Sequence, residues 1–192
     1  MSEPLTRVYS IGHSNHTFEH FASLLRQHEV DCIVDVRSSP WSRYAPQFNR
    51  EVLGPALAAH GVEYVFLGAE LGGRPDGDEF YDDEGHVLYG AVAETSRFKA
   101  GIEALEAHAQ ARLVAIMCSE EDPSDCHRRL LVARVLQGRD APVGHIRSDG
   151  RVKSEADLEP AAFQQKLFAE EEPWRSTQSV SHRRPRATSS TG

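Results

Sequence analysis

The sequence contains little cysteine and no long apolar run. Three of its 192 residues are cysteine, namely Cys32, Cys118 and Cys126, and none forms a Cys-x-x-Cys pair. An odd number of cysteines without paired spacing argues against a disulfide framework and fits a reducing cytoplasm. No apolar stretch approaches the ~20 residues that a membrane-spanning helix needs, and the N-terminus meets charge and proline before any apolar stretch. The sequence therefore predicts a cytoplasmic protein with neither an export signal nor a membrane segment.

An excess of positive charge is also absent. The formal net charge is -8, and acidic residues cluster in three stretches, at 76–84, 120–122 and 170–172. Since nucleic-acid binding depends largely on Lys and Arg at phosphate groups, this balance argues against a protein that grips nucleic acid over its whole surface. A local basic cleft is still compatible with it. The chain also contains no internal repeat of solenoid or propeller period.

Apolar runs alternate with amphipathic segments along the chain. Helical periodicity separates the runs, with Thr17 as the predicted N-cap of the first helix and Asp122 with Pro123 at the start of the helix after the fourth run. This alternation predicts a Rossmann-like three-layer α/β sandwich with a mostly parallel sheet of about five strands. We expect one domain over 6–168, closed by a helix over 155–169, and a disordered charged tail over 169–192. The five predicted strands are 8–11, 32–36, 62–66, 113–117 and 143–146.

The segment 68–90 breaks this alternation. It is rich in Gly and Asp, has no convincing periodicity, and is long for a connection inside a compact domain. Loops of that length are usually either functional or disordered. We expect a lid over a binding site, with a mobile insertion as the alternative.

Chemically useful side chains follow three of the predicted strands. His13 follows the first strand, Asp35 and Arg37 mark the end of the second, and Cys118 follows the fourth. Because ligands in open α/β sheets bind beyond the carboxyl ends of the strands, we expect a site at this edge. We predict catalytic roles for His13, Asp35 and Cys118. The residues predicted to hold the ligand are Ser14, Arg37, Arg43, Arg74 and Arg128.

Each of these residues also has a purely structural interpretation. His13 would serve a turn, and Asp35 with Arg37 would form an internal ion pair. Cys118 would be a small buried core residue. The acidic loop 119–122 would raise the pKa of the Cys118 thiol, which disfavours a nucleophile. Surface exposure is the commoner fate of any single loop arginine.

A metal site is the least favoured arrangement. His13, Cys118, Cys126 and His127 are residue types that bind zinc, but their spacing is not a zinc signature. If Cys126 and His127 lie on a helix, their side chains diverge by about 100° and can hardly both reach one ion. We therefore expect Cys126 to belong to the core and no metal to be bound.

The order of several short motifs resembles domain-of-unknown-function family 488. The resemblance runs from 8 to 146 and implies a compact bacterial-type intracellular domain, without implying a reaction. A weaker resemblance to rhodanese and Cys-dependent phosphatase domains rests on Asp35 and Arg37 at one strand end and Cys118 at another; the anion-binding loop of those enzymes is acidic here. The motifs are 11–14 (Ile-Gly-His-Ser), 34–37 (Val-Asp-Val-Arg) with Pro40 and Ser42, 71–73 (Leu-Gly-Gly), 118–120 (Cys-Ser-Glu), 126–128 (Cys-His-Arg) and 145–146 (His-Ile).

The sequence supports three functions of different classes. The first is a domain that binds or acts on a small anionic or nucleotide-like molecule at the carboxyl edge of the sheet. The second is a nucleic-acid-associated accessory module, and the third is a Cys-dependent sulfur or phosphoryl transferase with Cys118 as its nucleophile. Whether the protein is an enzyme, which cofactor it uses and its oligomeric state stay open. The aromatic residues that would stack on a base are Trp41, Tyr44, Phe48, Phe80, Tyr81 and Tyr89.

Overall fold

Six strands form one sheet in the computed structural model, which describes residues 8–158 and 174–180. The strands are β1 (Val8–Gly12), β2 (Cys32–Asp35), β3 (Glu63–Phe66), β4 (Val114–Cys118), β5 (Val143–Ile146) and β6 (Val152–Lys153). The order across the sheet is β3-β2-β4-β1-β5-β6, and the neighbouring strands are parallel except β5 with β6. The predicted α/β fold with a mostly parallel sheet is confirmed. The sixth strand was not predicted, because its two exposed residues carry no periodicity.

Helices cover both faces of the sheet, which is consistent with a Rossmann-like three-layer fold. The α-helices are α1 (Phe18–Gln27), α2 (Arg50–Ala58), α3 (Gly68–Leu71), α4 (Tyr89–Glu94), α5 (Ser96–Ala111), α6 (Arg134–Gln137) and α7 (Glu155–Leu158). Buried residues of α1 and α2 pack on one face, whereas those of α4, α5 and α6 pack on the other. A π-helical turn (Arg128–Ala133) leads directly into α6, and two short 3-10 helices occupy Pro46–Phe48 and Asp78–Phe80. None of the helices in the described ranges has the length and apolar character needed to cross a membrane.

Side-chain alternation along the central strands divides the core into two halves. In β4, Ile116 packs on the side of α4, α5 and α6, whereas Met117 packs on the side of α1 and α2. By the same alternation Asp35 lies on the α1 and α2 side, and Cys118 lies on the opposite side. The polar residues at the strand ends are therefore distributed over both faces of the sheet.

The helix after β4 begins later than the sequence predicts. Asp122 accepts a hydrogen bond from the backbone N of Ser124 at 2.8 Å, and the N of Cys126 donates to the Pro123 carbonyl at 3.1 Å. These bonds close a separate turn, and the helical backbone begins at His127. The predicted start at Pro123 is therefore wrong, and Cys126 lies before the helix.

The segment 68–90 is folded onto the body and is covered by residues 174–180. Tyr81 and Val87 form an isolated antiparallel bridge within it. The N of Ser176 donates to the Val87 carbonyl at 2.9 Å. Residues 174–180 are thus packed, although they fall in the stretch predicted to be a disordered tail. The remainder of that tail, and most of the helix predicted over 155–169, lie outside the described residues.

Gly12 allows the loop after β4 to pass close to the end of β1. A Cβ at this position would overlap the carbonyl oxygen of Glu120. We expect Gly12→Ala to lower the free energy of unfolding by about 1–3 kcal/mol, because overpacking forces the backbone apart. Urea denaturation followed by circular dichroism would measure the change.

Gly54, within α2, is the matched control for this prediction. A Cβ there would meet only the Tyr64 ring, at 3.8 Å. Because glycine weakens a helix interior, Gly54→Ala should stabilise the protein by about 0.5–1 kcal/mol. Equal effects of the two substitutions would contradict the close approach at Gly12.

Candidate functional site

A buried polar network lies at the carboxyl ends of β1 and β2. Arg37 donates to Asp35 from Nε to Oδ1 at 2.9 Å and from Nη2 to Oδ2 at 2.6 Å. Its Nη2 also donates to the Phe48 carbonyl at 2.8 Å, and its Nη1 donates to His13 Nε2 at 2.9 Å. Tyr64, which the sequence did not single out, donates its hydroxyl to Asp35 Oδ2 at 2.6 Å. The structure thus brings three predicted site residues together in a single hydrogen-bonded unit, which we call the brace.

His13 is neutral within the brace, and its neighbours fix its tautomer. Because Nε2 accepts from Arg37, the ring proton lies on Nδ1, which donates to the Ser14 carbonyl at 2.8 Å. Burial, reinforced by the charge of Arg37, lowers the pKa of His13 to about 4. The ring also stacks on Phe48, with the centroids 4.4 Å apart. In this conformation both ring nitrogens of His13 are engaged by the protein itself.

Arg128 is a second buried arginine, and it holds the loop after β4. Its Nη1 donates to the Glu120 carbonyl at 2.6 Å and its Nη2 to the Glu121 carbonyl at 2.8 Å. Its Nε lies 3.4 Å from the Ser10 hydroxyl. The side chain is fully buried, and its hydrogen bonds go to groups of the protein rather than toward solvent. Its predicted role in holding a ligand stays a prediction.

Ser10, His145 and Glu155 have the hydrogen-bond order of a hydrolase triad. The Ser10 hydroxyl lies 2.7 Å from His145 Nδ1, and His145 Nε2 lies 2.7 Å from a carboxylate oxygen of Glu155. However, Ser10 and His145 both have 0 % exposure, so a substrate could not reach the hydroxyl. The hydrogen bonds among these three residues connect β1 to β5 and β5 to α7, which is a structural role.

A pocket opens at the same edge of the sheet and reaches Cys118. It has a volume of about 710 Å³ and is bounded by the loops after β2, α3 and β4 together with residues 174–180. Arg37 and Arg74 line it, as do parts of the segment predicted to be a lid. Its floor consists of Cys118, Glu120, Cys126 and His127, which we call the cysteine–histidine cluster.

Four donor atoms converge in the cysteine–histidine cluster. The sulfurs of Cys118 and Cys126 lie 2.9 and 3.1 Å from Oε2 of Glu120. Nδ1 of His127 lies 3.7 Å from the first sulfur and 4.0 Å from the second. His127 donates its Nε2 proton to the Val36 carbonyl at 2.9 Å, which leaves Nδ1 facing the sulfurs. The cluster therefore presents thiol, imidazole and carboxylate groups to the pocket.

This convergence corrects the geometric argument made from the sequence. Cys126 precedes the first helical residue, so the 100° separation of adjacent helical side chains does not apply to Cys126 and His127. Their donor atoms, with that of Cys118, all lie within 4.8 Å of one another. Cys126 is buried, as expected of a core residue, but its sulfur faces the cluster.

The pKa values of the two thiols are shifted in opposite directions. The hydrogen bond with Cys126, together with burial, raises the pKa of Cys118 well above its ordinary value. Burial acts in the same direction on Cys126, but hydrogen bonds from Cys118 and His127 outweigh it and hold the pKa of Cys126 well below its ordinary value. Burial lowers the pKa of His127, and the hydrogen bond with Cys126 more than offsets this, so that the net pKa is raised. The thiol that ionises more readily is thus Cys126 rather than Cys118, the nucleophile predicted for a transferase.

The absence of a side chain at Gly73 leaves room for the His127 ring in the cluster. A Cβ at Gly73 would lie 2.6 Å from Cγ of the His127 ring. A larger residue would therefore displace the imidazole. The second glycine of the 71–73 motif accordingly has a direct role in shaping the pocket floor.

The remaining predicted ligand residues lie outside the pocket lining. Arg43 is exposed and stacks on Tyr44, with its guanidinium carbon 4.6 Å from the ring centroid. Ser14 adopts a left-handed backbone conformation with a φ of 47°, and its N donates to the Ser119 carbonyl at 2.8 Å. Of the predicted stacking aromatics, Trp41, Tyr81 and Tyr89 line the pocket, and Trp41 is 63 % exposed.

A family model described as Domain of unknown function DUF488 matches residues 17–135, which is more than half of the chain. The chain belongs to the DUF488 family. This match confirms the resemblance drawn from the short motifs, and it covers both the brace, apart from His13, and the whole cysteine–histidine cluster. Neither a curated protein nor a solved structure matches this DUF488 chain. The partial resemblance to rhodanese and Cys-dependent phosphatases has no support from these comparisons.

Proposed function

We propose that this DUF488 protein binds a small anionic or nucleotide-like molecule in the pocket, against the cysteine–histidine cluster. The observation that carries the proposal is the pocket itself: its volume of about 710 Å³ lies within the range of roughly 300–1,000 Å³ that small-molecule sites occupy. The pocket also lies at the carboxyl edge of the parallel sheet, where ligands of open α/β proteins bind.

The walls of the pocket suit a ring with an attached acidic group. Arg74 is exposed at the rim, where its planar guanidinium is suited to a carboxylate or phosphate. The exposed face of Trp41 offers a stacking surface for a base or ring. Asp76 and Asp125 also line the pocket and are suited to hydroxyl or amino groups. This mixture favours a ligand with both acidic and hydrogen-donating groups.

Ligand binding can be tested by native mass spectrometry and isothermal titration with inorganic phosphate, succinate and AMP as probes. We expect at least one probe to bind with one equivalent per chain, and Arg74→Ala to weaken that binding about tenfold through loss of a charge-assisted hydrogen bond. Arg43→Ala is the matched control, since Arg43 is exposed nearby but does not line the pocket. Equal losses in both variants, or no binding of any probe, would count against the proposal.

Exposed aromatics favour nucleic-acid binding as a second candidate function. Trp41 and Tyr44 are 63 % and 80 % exposed, and the guanidinium of Arg43 lies against the Tyr44 ring. Such an arrangement suits stacking on unpaired bases. Titration with a single-stranded oligonucleotide at low salt separates the two candidate functions. Affinity for the oligonucleotide would depend on Tyr44 and Arg43, whereas affinity for the small-molecule probes would depend on Arg74. In this second hypothesis the tail residues Arg183, Arg184 and Arg186 would contact phosphate, and they lie outside the described residues.

A further inference from the structure

The cysteine–histidine cluster has the composition and shape of a metal centre. We propose that it binds one zinc ion, with Cys118, Cys126 and His127 as ligands and the Glu120 carboxylate in the fourth position. The inference concerns the same pocket as the proposed function but does not depend on it, since the ion would be held without any organic ligand.

The distances in the cluster are close to those of a tetrahedral zinc site. Zn–S bonds of about 2.3 Å and Zn–N bonds of about 2.0 Å place sulfur and nitrogen roughly 3.5 Å apart in a tetrahedron. The corresponding distances from His127 Nδ1 to the sulfurs of Cys118 and Cys126 are 3.7 and 4.0 Å. Oε2 of Glu120 lies closer to the sulfurs, at 2.9 and 3.1 Å, so it would move outward slightly on binding the ion. Glu120 is an exposed residue of the loop after β4, where such a shift is easily accommodated.

The orientation of His127 supports the same conclusion. Metal-binding histidines usually donate their second ring N–H to a carbonyl or carboxylate, which fixes the tautomer and the direction of the free lone pair. His127 does this through Nε2 and the Val36 carbonyl, at 2.9 Å. Gly73 packs against the other side of the ring, where a Cβ would not fit. The imidazole is therefore held with Nδ1 facing the sulfurs before any ion arrives.

The donor set of the cluster also suits a cation. Cys118, Cys126 and Glu120 lie in mutual contact, and their thiol and carboxyl groups are groups that bind zinc. The buried Arg128 nearby directs its Nη groups to backbone carbonyls. Two thiolates with an imidazole and a carboxylate form a ligand set typical of zinc.

Metal titration of the full-length chain tests the site directly. The reduced protein, stripped with a chelator and free of organic ligands, would be titrated with Zn²⁺ against a chromophoric chelator and with Co²⁺ as a spectroscopic probe. We expect one equivalent of either metal, with the thiolate-to-cobalt absorption of a cysteine-ligated site. Cys126→Ala and His127→Gln should each weaken zinc binding about hundredfold or more, since substitution of a residue that only hydrogen-bonds to a metal ligand already costs roughly 10- to 100-fold.

Cys32→Ala is the matched control, because Cys32 is buried and lies in a different Cys–Glu–His group with Glu63 and His108. It should leave the affinity for zinc unchanged. Stoichiometric binding lost in Cys126→Ala and kept in Cys32→Ala supports the proposal, provided that urea denaturation shows both variants to be folded.

Several results would overturn the proposal. The first is that fully reduced protein shows no saturable zinc binding. The second is that zinc binding survives both Cys126→Ala and His127→Gln, and the third is that zinc binding is lost in Cys32→Ala alone. If Cys126→Ala fails to fold, the cobalt spectrum of His127→Gln decides, because loss of the nitrogen ligand must alter its bands. Glu120→Gln tests the fourth ligand, and an unchanged affinity would remove Glu120 from the set. Zinc binding with no binding of the organic probes would leave this site standing and refute the proposed function.

Discussion

Arg37→Met is expected to lower the free energy of unfolding by about 3–5 kcal/mol, because it leaves the Asp35 carboxylate buried without its cation. Asp35 is 0 % exposed, and two of the four hydrogen bonds to its carboxylate, at 2.9 and 2.6 Å, come from the Arg37 guanidinium. Tyr64 would remain as a hydrogen-bond donor to Asp35, but it carries no charge. Urea denaturation at neutral pH, followed by circular dichroism, would measure the loss.

Two further variants serve as controls for the stability loss in Arg37→Met. Arg26→Met removes an exposed arginine from α1 and should change stability by less than about 1 kcal/mol. The double variant Asp35→Leu with Arg37→Met should recover part of the loss, because no uncompensated charge then remains. A small effect of Arg37→Met, similar to that of Arg26→Met, would show that the ion pair does not stabilise the fold.

Acidification from pH 6.5 to pH 4 is expected to cost the protein about 3 kcal/mol through His13 alone, at ~1.4 kcal/mol for each pKa unit between folded and unfolded chains. The folded protein keeps His13 neutral down to a pKa of about 4, whereas the unfolded chain takes up the proton near the ordinary value of 6.5. The unfolded state therefore binds more protons in this window. The contribution of His13 is fully present above pH 6.5 and is lost as the pH falls through 4.

The difference between the native protein and His13→Asn isolates this contribution. Because asparagine does not titrate, the stability of the variant should fall less steeply between pH 6.5 and 4, even if it starts from a lower value. His60→Gln, at an exposed position after α2, should keep the slope of the native protein. Parallel curves for native protein and His13→Asn would mean that His13 is not held neutral by the brace.

Much of the fold could be predicted from the sequence, because local patterns determine it. The five longer strands coincide with the predicted apolar runs. β1, β2 and β4 are buried on both faces of the sheet, and such runs have few alternatives, whereas β3 is half-buried. The predicted N-cap of α1 is confirmed, since the Thr17 hydroxyl accepts from the N of His20 at 3.2 Å. β6 has two exposed residues and depends on pairing with β5, which leaves no local pattern. The packing of 174–180 depends likewise on distant partners such as Val87.

The candidate site could be predicted in position but not in composition. The parallel sheet places the ends of β1, β2 and β4 at one edge, so the meeting of His13, Asp35 and Arg37 followed from topology. Tyr64 was missed because a tyrosine in a strand resembles any other apolar residue. The cluster was considered as a metal site and rejected, because the start of the helix was placed at Pro123. That start is four residues too early, and the error changes the predicted directions of the Cys126 and His127 side chains.

The central sheet keeps two kinds of polar chemistry apart. On the side of α1 and α2, the brace is largely buried, and we expect its substitution to affect folding. On the other side, the cysteine–histidine cluster faces a pocket, and we expect its substitution to affect binding. Substitution of pocket residues can therefore leave the brace intact. Arg37 is the exception, since it belongs to the brace and also lines the pocket, and so it constrains both.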